Sequence, residues 1–154
     1  MRKEDENKTL VRRWLADFWG EKCDLSIVDE LAAPDMLLRY SLHPPRRGRE
    51  DIKAFIGGLR KAFPDFALRS AGDLIAEGNF VVVRWEITGT HTGPTFNDLL
   101  MGILTDATGR ALRFGGTTVL QVENGQITEE IGLDDGVTAL GQLGLIPTAA
   151  IPGF

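Results

Sequence analysis

The stretch TTVLQVENGQITEEIGLDD, residues 117–135, decides how this chain folds. Asn-Gly between two runs of Val, Leu, Ile and Thr is the strongest short-range hairpin signal, because a type I′ turn needs φ > 0 at both central positions. With Asn124-Gly125 as the turn, Ala111 to Glu123 and Gln126 to Asp134 become paired antiparallel strands. Uninterrupted pairing sets Val122 against Ile127, Leu120 against Glu129, Thr118 against Ile131, Gly116 against Leu133 and Phe114 against Asp135. Side chains alternate along a strand, so these pairs share one face, and it is the more apolar one. Asp134 then belongs to the wetter face, whereas Asp135 projects toward the core. A carboxylate among apolar side chains is poorly solvated when ionised, which raises its pKa toward the range useful for proton transfer. Glu129 is a second candidate on the same face. Gly136 to Leu143 reads as a short helix, however, and Asp is a favoured N-cap. Capping and acid/base chemistry are both open to Asp135.

Outward from the hairpin, Phe66 to Ala76 and Asn79 to Thr90 are also rich in Val, Ile, Phe and Trp and bounded by Glu77-Gly78 and Gly89, so they read as strands. The period changes before Pro64. Leu10, Trp14, Leu15, Phe18 and Trp19 form one apolar stripe of a helix over Thr9 to Gly20. A short helix is predicted over Asp24 to Leu31, a short strand over Met36 to Leu42, and a third helix over Gly48 to Phe63, carried by Ile52, Phe55, Ile56, Leu59 and Phe63. Helices first and antiparallel strands afterwards give an α+β fold.

At 154 residues and 43% hydrophobic content, the chain is expected to form one domain. The charged start MRKEDENKTL has no apolar h-region, and no later run reaches the roughly 18 residues of a bilayer span. A soluble, cytoplasmic protein without membrane partners is expected. The net charge of −5 argues against a nucleic-acid partner. Cys23, the single cysteine, has no partner for a disulfide or a metal, and no His-x-x-His supports a metal site. Phe114-Gly-Gly-Thr117 lies inside a strand and opens no helix, so it is no dinucleotide fingerprint.

Several segments together resemble the SnoaL-like polyketide cyclase (ester cyclase) family of the NTF2-like superfamily. They are Ala62-Phe-Pro-Asp-Phe66, Val82-Val-Arg-Trp85, Gly89-Thr-His-Thr-Gly93, Thr108-Gly-Arg110, Asn124-Gly-Gln-Ile-Thr-Glu129, and Asp135 ahead of Gln142-Leu-Gly-Leu145. The resemblance implies a cone-shaped curved antiparallel sheet packed on N-terminal helices, with a pocket between them and a short C-terminal helix. It implies ring closure by intramolecular aldol condensation on a small, enolisable, apolar or aromatic carbonyl ligand, with neither metal nor organic cofactor. The family's acid/base is an aspartate at the end of the last strand, which corresponds to Asp135. His91, following Trp85 and Ile87 on one strand face, is a candidate for binding a substrate oxygen, with a structural hydrogen-bonding role as its alternative. His43 is placed at the cavity rim, and Trp85 and Phe114 in the wall. The connection from Pro94 to Ala107 is longer and more apolar than the family's usual one, suiting a lid or a reshaped wall. Gly136 replaces the polar residue expected after the aspartate. The open sheet suggests a homodimer or higher homo-oligomer. Other NTF2-like chemistry, as an isomerase, dehydratase or hydrolase, and a noncatalytic module binding a small apolar ligand are the rival readings.

Overall fold

A computed structural model describes residues 2–147; Met1 and residues 148–154 lie outside the described residues. The first helix, α1 (Lys3–Trp14), starts six residues before the predicted Thr9. Glu4, Asp5 and Glu6 in its first turn and Arg12 and Arg13 in its last complement the helix dipole, so the charged leader is helical. The helix then runs into a π-helical turn, Leu15–Trp19. In a continuous α-helix, Trp14 and Trp19 would sit about 140° apart around the axis. The wider i→i+5 turn brings them to one side. Trp14 also stacks on Phe18, with ring centres 4.3 Å apart.

Helix α2 (Ser26–Leu31) stops ahead of Pro34, as predicted, and passes directly into β1 (Ala32–Arg39). A two-residue strand, β2 (Arg46–Arg47), and helix α3 (Arg49–Ala62) follow. The predicted strand over Phe66 to Ala76 is divided into β3 (Ala67–Ser70) and β4 (Ile75–Glu77). Gly72 lies between them at φ 108°, a left-handed conformation that breaks the extended chain. Strands β5 (Phe80–Thr90), β6 (Ala111–Glu123) and β7 (Gln126–Asp134) and helix α4 (Gly136–Gln142) lie close to where their sequences predict them.

The strands form one sheet in the order β2-β1-β7-β6-β5-β3, with β4 also on β5. All pairings are antiparallel except β1 with β7, which run parallel. This is a mixed α+β fold in which a curved, open, mostly antiparallel sheet packs on the N-terminal helices. The core between them takes Trp14, Phe18, Met36, Leu38, Ile52, Ile56, Phe63 and Leu120, all essentially inaccessible.

The β6–β7 hairpin has the predicted turn: Asn124 and Gly125 both have positive φ, 51° and 75°. The predicted register survives only for Glu123 with Gln126 and Val122 with Ile127. Thr128 is then an extra residue on β7, and the next pair is Gln121 with Glu129. This is a β-bulge, and the Thr128 hydroxyl donates to the Gln121 carbonyl across it (3.3 Å). A one-residue slip exchanges the two faces of a strand. Beyond the bulge Leu120 faces Glu130, Thr118 faces Gly132 and Gly116 faces Asp134. Glu130, Gly132 and Asp134 therefore point inward, while Leu133 is 74% exposed.

Candidate active site

A cavity partly open to solvent lies between the sheet and helices α3 and α4. Its wall is largely aromatic and aliphatic. The sheet supplies Trp85, Ile87, Leu112 and Phe114, α3 supplies Phe55, Leu59 and Phe63, and α4 supplies Ala139. Polar groups are few, namely Tyr40, His43 and Asp134, together with the indoles of Trp19 and Trp85. An apolar cavity with a few placed polar groups is the usual form of a small-molecule site.

Asp134 enters the cavity because of the bulge. Its Oδ1 accepts the Ser41 hydroxyl, supplied by the segment that follows β1. Burial pushes the Asp134 carboxyl above the usual carboxylate range, with the Ser41 hydrogen bond and the His43 charge acting in the opposite direction. His43 is half-buried, and burial holds its pKa below the ordinary value for histidine. Its Nδ1 faces the backbone carbonyl of Asp98, which can only accept, so Nδ1 carries the proton. The remaining nitrogen of the neutral ring is an acceptor.

Asp135, the predicted acid/base, is placed differently. Its backbone N–H donates to Gly115 (2.9 Å), and its exposed carboxylate caps α4 by accepting the Thr138 N–H (3.2 Å) and hydroxyl (2.7 Å). The expected position beside Phe114 in the core is corrected: the bulge at Thr128 turns the neighbouring aspartate inward instead. Glu129, the second candidate, is likewise displaced from the inner face in favour of Glu130.

His91 is wholly buried and is not part of the cavity wall. Its Nε2 meets the Pro94 carbonyl at 2.7 Å, and its Nδ1 meets the Thr108 hydroxyl (2.8 Å) and backbone N–H (3.3 Å). It thus joins the two ends of the connecting loop, the structural alternative raised for it. His43, Trp85 and Phe114 do line the cavity. The 94–107 loop contributes Phe96 and Leu99 to the wall, while Leu100 and Ile103 at its tip are 65% and 61% exposed.

Sequence reasoning missed Glu130. This side chain is 1% exposed and accepts the indole N–H of Trp14 (2.7 Å), the indole N–H of Trp19 (2.7 Å) and the Tyr40 hydroxyl. Tyr40 also meets the Thr118 hydroxyl (2.9 Å), which accepts from the Trp85 indole (2.8 Å). Burial pushes the Glu130 carboxyl up to about 6, against the lowering effect of its three donors. Three cavity-wall rings, Trp19, Tyr40 and Trp85, are oriented by this network. The adjacent pair Glu129-Glu130 in a strand was the available signal, since one of two neighbours must face inward. Among the described residues, no three His, Cys, Asp or Glu side chains gather where a metal ion would sit. No helix among them is long and apolar enough to cross a membrane.

A curved sheet closed over helices around an apolar cavity defines an NTF2-like protein. The chain belongs to the SnoaL-like polyketide cyclase family, whose model matches residues 9–143. Similar solved structures include a proposed SnoaL-like polyketide cyclase from Jannaschia sp. CCS1, at 22% identity and TM-score 0.80 over 96% of this chain and 97% of that one. IdmH from Streptomyces antibioticus, a proposed polyketide cyclase, is 26% identical with TM-score 0.70 over 90% of this chain and 98% of its own. AclR from Streptomyces galilaeus, a proposed hydroxylase, is 24% identical with TM-score 0.73 over 94% and 89%. A search of curated proteins finds no match. Family and fold support a cyclase-type function in general terms, while the fold by itself does not choose the reaction.

Proposed function

We propose that the protein closes a ring in a small, enolisable, partly aromatic carbonyl compound, with Asp134 as general acid/base. The observation that carries this reading is the Asp134 carboxyl in the wall of a largely apolar cavity, its pKa raised by burial. Ionised Asp134 takes an acidic C–H proton from the substrate, and the electron pair left behind forms a carbon–carbon bond to a carbonyl carbon of the same molecule. The carbonyl π electrons become an alkoxide, which recovers the proton from Asp134. Atoms and charge balance without a co-reactant. A substrate flanked by carbonyls stabilises its own carbanion, so the protein supplies chain folding and a positioned base. The aromatic wall favours the folded conformer, and His43 offers its free nitrogen to an enol or phenol O–H.

Exchange of the acidic C–H of an aryl β-keto ester for deuterium, followed by NMR in D₂O, tests the base separately from ring closure. Asp134→Asn should lower the exchange rate about 10²–10⁴-fold, while Asp135→Asn should leave it within about twofold, because Asn also caps helices. Undiminished exchange by folded Asp134→Asn removes Asp134 from the mechanism. A noncatalytic binding module would accelerate exchange in none of these proteins.

A further inference from the structure

The 94–107 loop touches the chain that runs from the end of β1 into β2 at three places. The Leu100 N–H donates to the Leu42 carbonyl at 2.9 Å. The Asp98 carbonyl accepts from His43 Nδ1, and the Asp98 carboxylate takes Nη2 of Arg46. Arg46 is held in turn by α3: its Nη1 lies 3.5 Å from Asp51, and its guanidinium carbon lies 5.8 Å from the centre of the Phe55 ring. The side chains of Arg46 and Asp98 are only 23% and 22% exposed, so this pair is shielded more than a surface ion pair. Phe96 and Leu99, on either side of Asp98, are cavity wall.

We infer that Arg46 and Asp98 are positioning residues: their ion pair seats the 94–107 loop so that the Asp98 carbonyl holds His43 as its Nδ1–H tautomer. The physical reason is that the proton of a neutral imidazole resides on whichever nitrogen has the better acceptor. Free in water, the neutral ring prefers the proton on Nε2. With the loop seated, the carbonyl draws it to Nδ1 and leaves Nε2 as an acceptor for a ligand O–H. With the loop displaced, the ring reverts and that nitrogen becomes a donor. The loop is therefore both a wall and the element that sets the hydrogen-bonding sense of the imidazole. The use of that acceptor in catalysis rests on the function proposed above; the tautomer itself does not.

The chain has two histidines, and the structure gives them opposite tautomers. His91 presents Nε2 to the Pro94 carbonyl at 2.7 Å and receives the Thr108 N–H on Nδ1 at 3.3 Å, so its proton is on Nε2. Long-range ¹H–¹⁵N correlation spectra of the full chain with ¹⁵N-labelled histidine, recorded without ligand at pH 8, read both rings at once. The wild type should show one ring of each type, His43 protonated on Nδ1 and His91 on Nε2. In Arg46→Met and in the isosteric Asp98→Asn, the His43 signals should move toward the Nε2–H pattern while those of His91 stay, and Arg46→Lys should retain more of the wild-type pattern than Arg46→Met. A wild-type near-ultraviolet circular dichroism spectrum and a cooperative urea transition certify that each variant is folded, because an unfolded chain would also carry both ring protons on Nε2. An Nε2–H ring at His43 in the wild type, or an unaltered Nδ1–H ring in folded Asp98→Asn and Arg46→Met, overturns the inference. Because no substrate is present, a wrong reaction assignment leaves this result standing, and failure of the role assigned to the Arg46–Asp98 pair leaves the deuterium-exchange test of Asp134 standing.

Discussion

Replacing Glu130 by Gln tests whether a carboxyl titrates inside the folded protein. A rise from its ordinary 4.5 to about 6 on burial corresponds to about 2 kcal/mol. The folded protein holds this proton more tightly than the unfolded chain. The resulting stabilisation is fully present below about pH 4.5 and is lost as pH rises through about 6. Glutamine has no such proton. Its NH₂ group faces an indole N–H, a donor against a donor, but that penalty of about 1–3 kcal/mol is the same at every pH. Other carboxyls titrate in both proteins and cancel in the difference. Urea unfolding followed by tryptophan fluorescence at half-unit steps from pH 4.5 to 7 gives the two stability curves. The wild type should lose about 2 kcal/mol relative to Glu130→Gln across that range, equivalent to about 4–8 °C in Tm for a chain of this size. Parallel curves would show instead that Glu130 keeps an ordinary pKa, its three donors offsetting burial.

Four further outcomes are expected. Asp135→Ala should lower stability by about 1 kcal/mol through loss of the α4 cap, and Asp135→Ser should restore most of it in the same urea assay. Gly132→Ala should destabilise by about 1–3 kcal/mol, because a Cβ there would lie 2.1 Å from the Tyr40 ring; a thermal melt within 1 °C of the wild type would contradict the packing described. The rate of deuterium exchange should rise with pH through a limb above the usual carboxylate range, since Asp134 must ionise and burial opposes it. Ser41→Ala removes the hydrogen bond that favours the ionised form and should move this limb to still higher pH.

Much of this fold is legible in the sequence because it is written in local periodicity. β6 and β7 end where their Val, Ile, Leu and Thr runs end, and the Asn124-Gly125 turn follows from backbone sterics that no distant contact alters. The stripe of Ile52, Phe55, Ile56, Leu59 and Phe63 likewise marks α3 and the face it buries. The apolar character of the cavity, with Trp85 and Phe114 in its wall, follows from that same alternation.

Which aspartate meets the cavity depends on one residue of register, and periodicity alone does not record it. Ile131 and Leu133 alternate as though they belonged inside, yet Gly132 occupies the inner face because the Tyr40 ring lies against it. Glu130 is tolerated there because Trp14, Trp19 and Tyr40 converge on it from positions at least 90 residues away in the chain. A buried carboxylate requires donors, and an inward side chain requires space. Both conditions are met by atoms distant in sequence, so tertiary packing selected the bulge at Thr128, and with it Asp134 over Asp135.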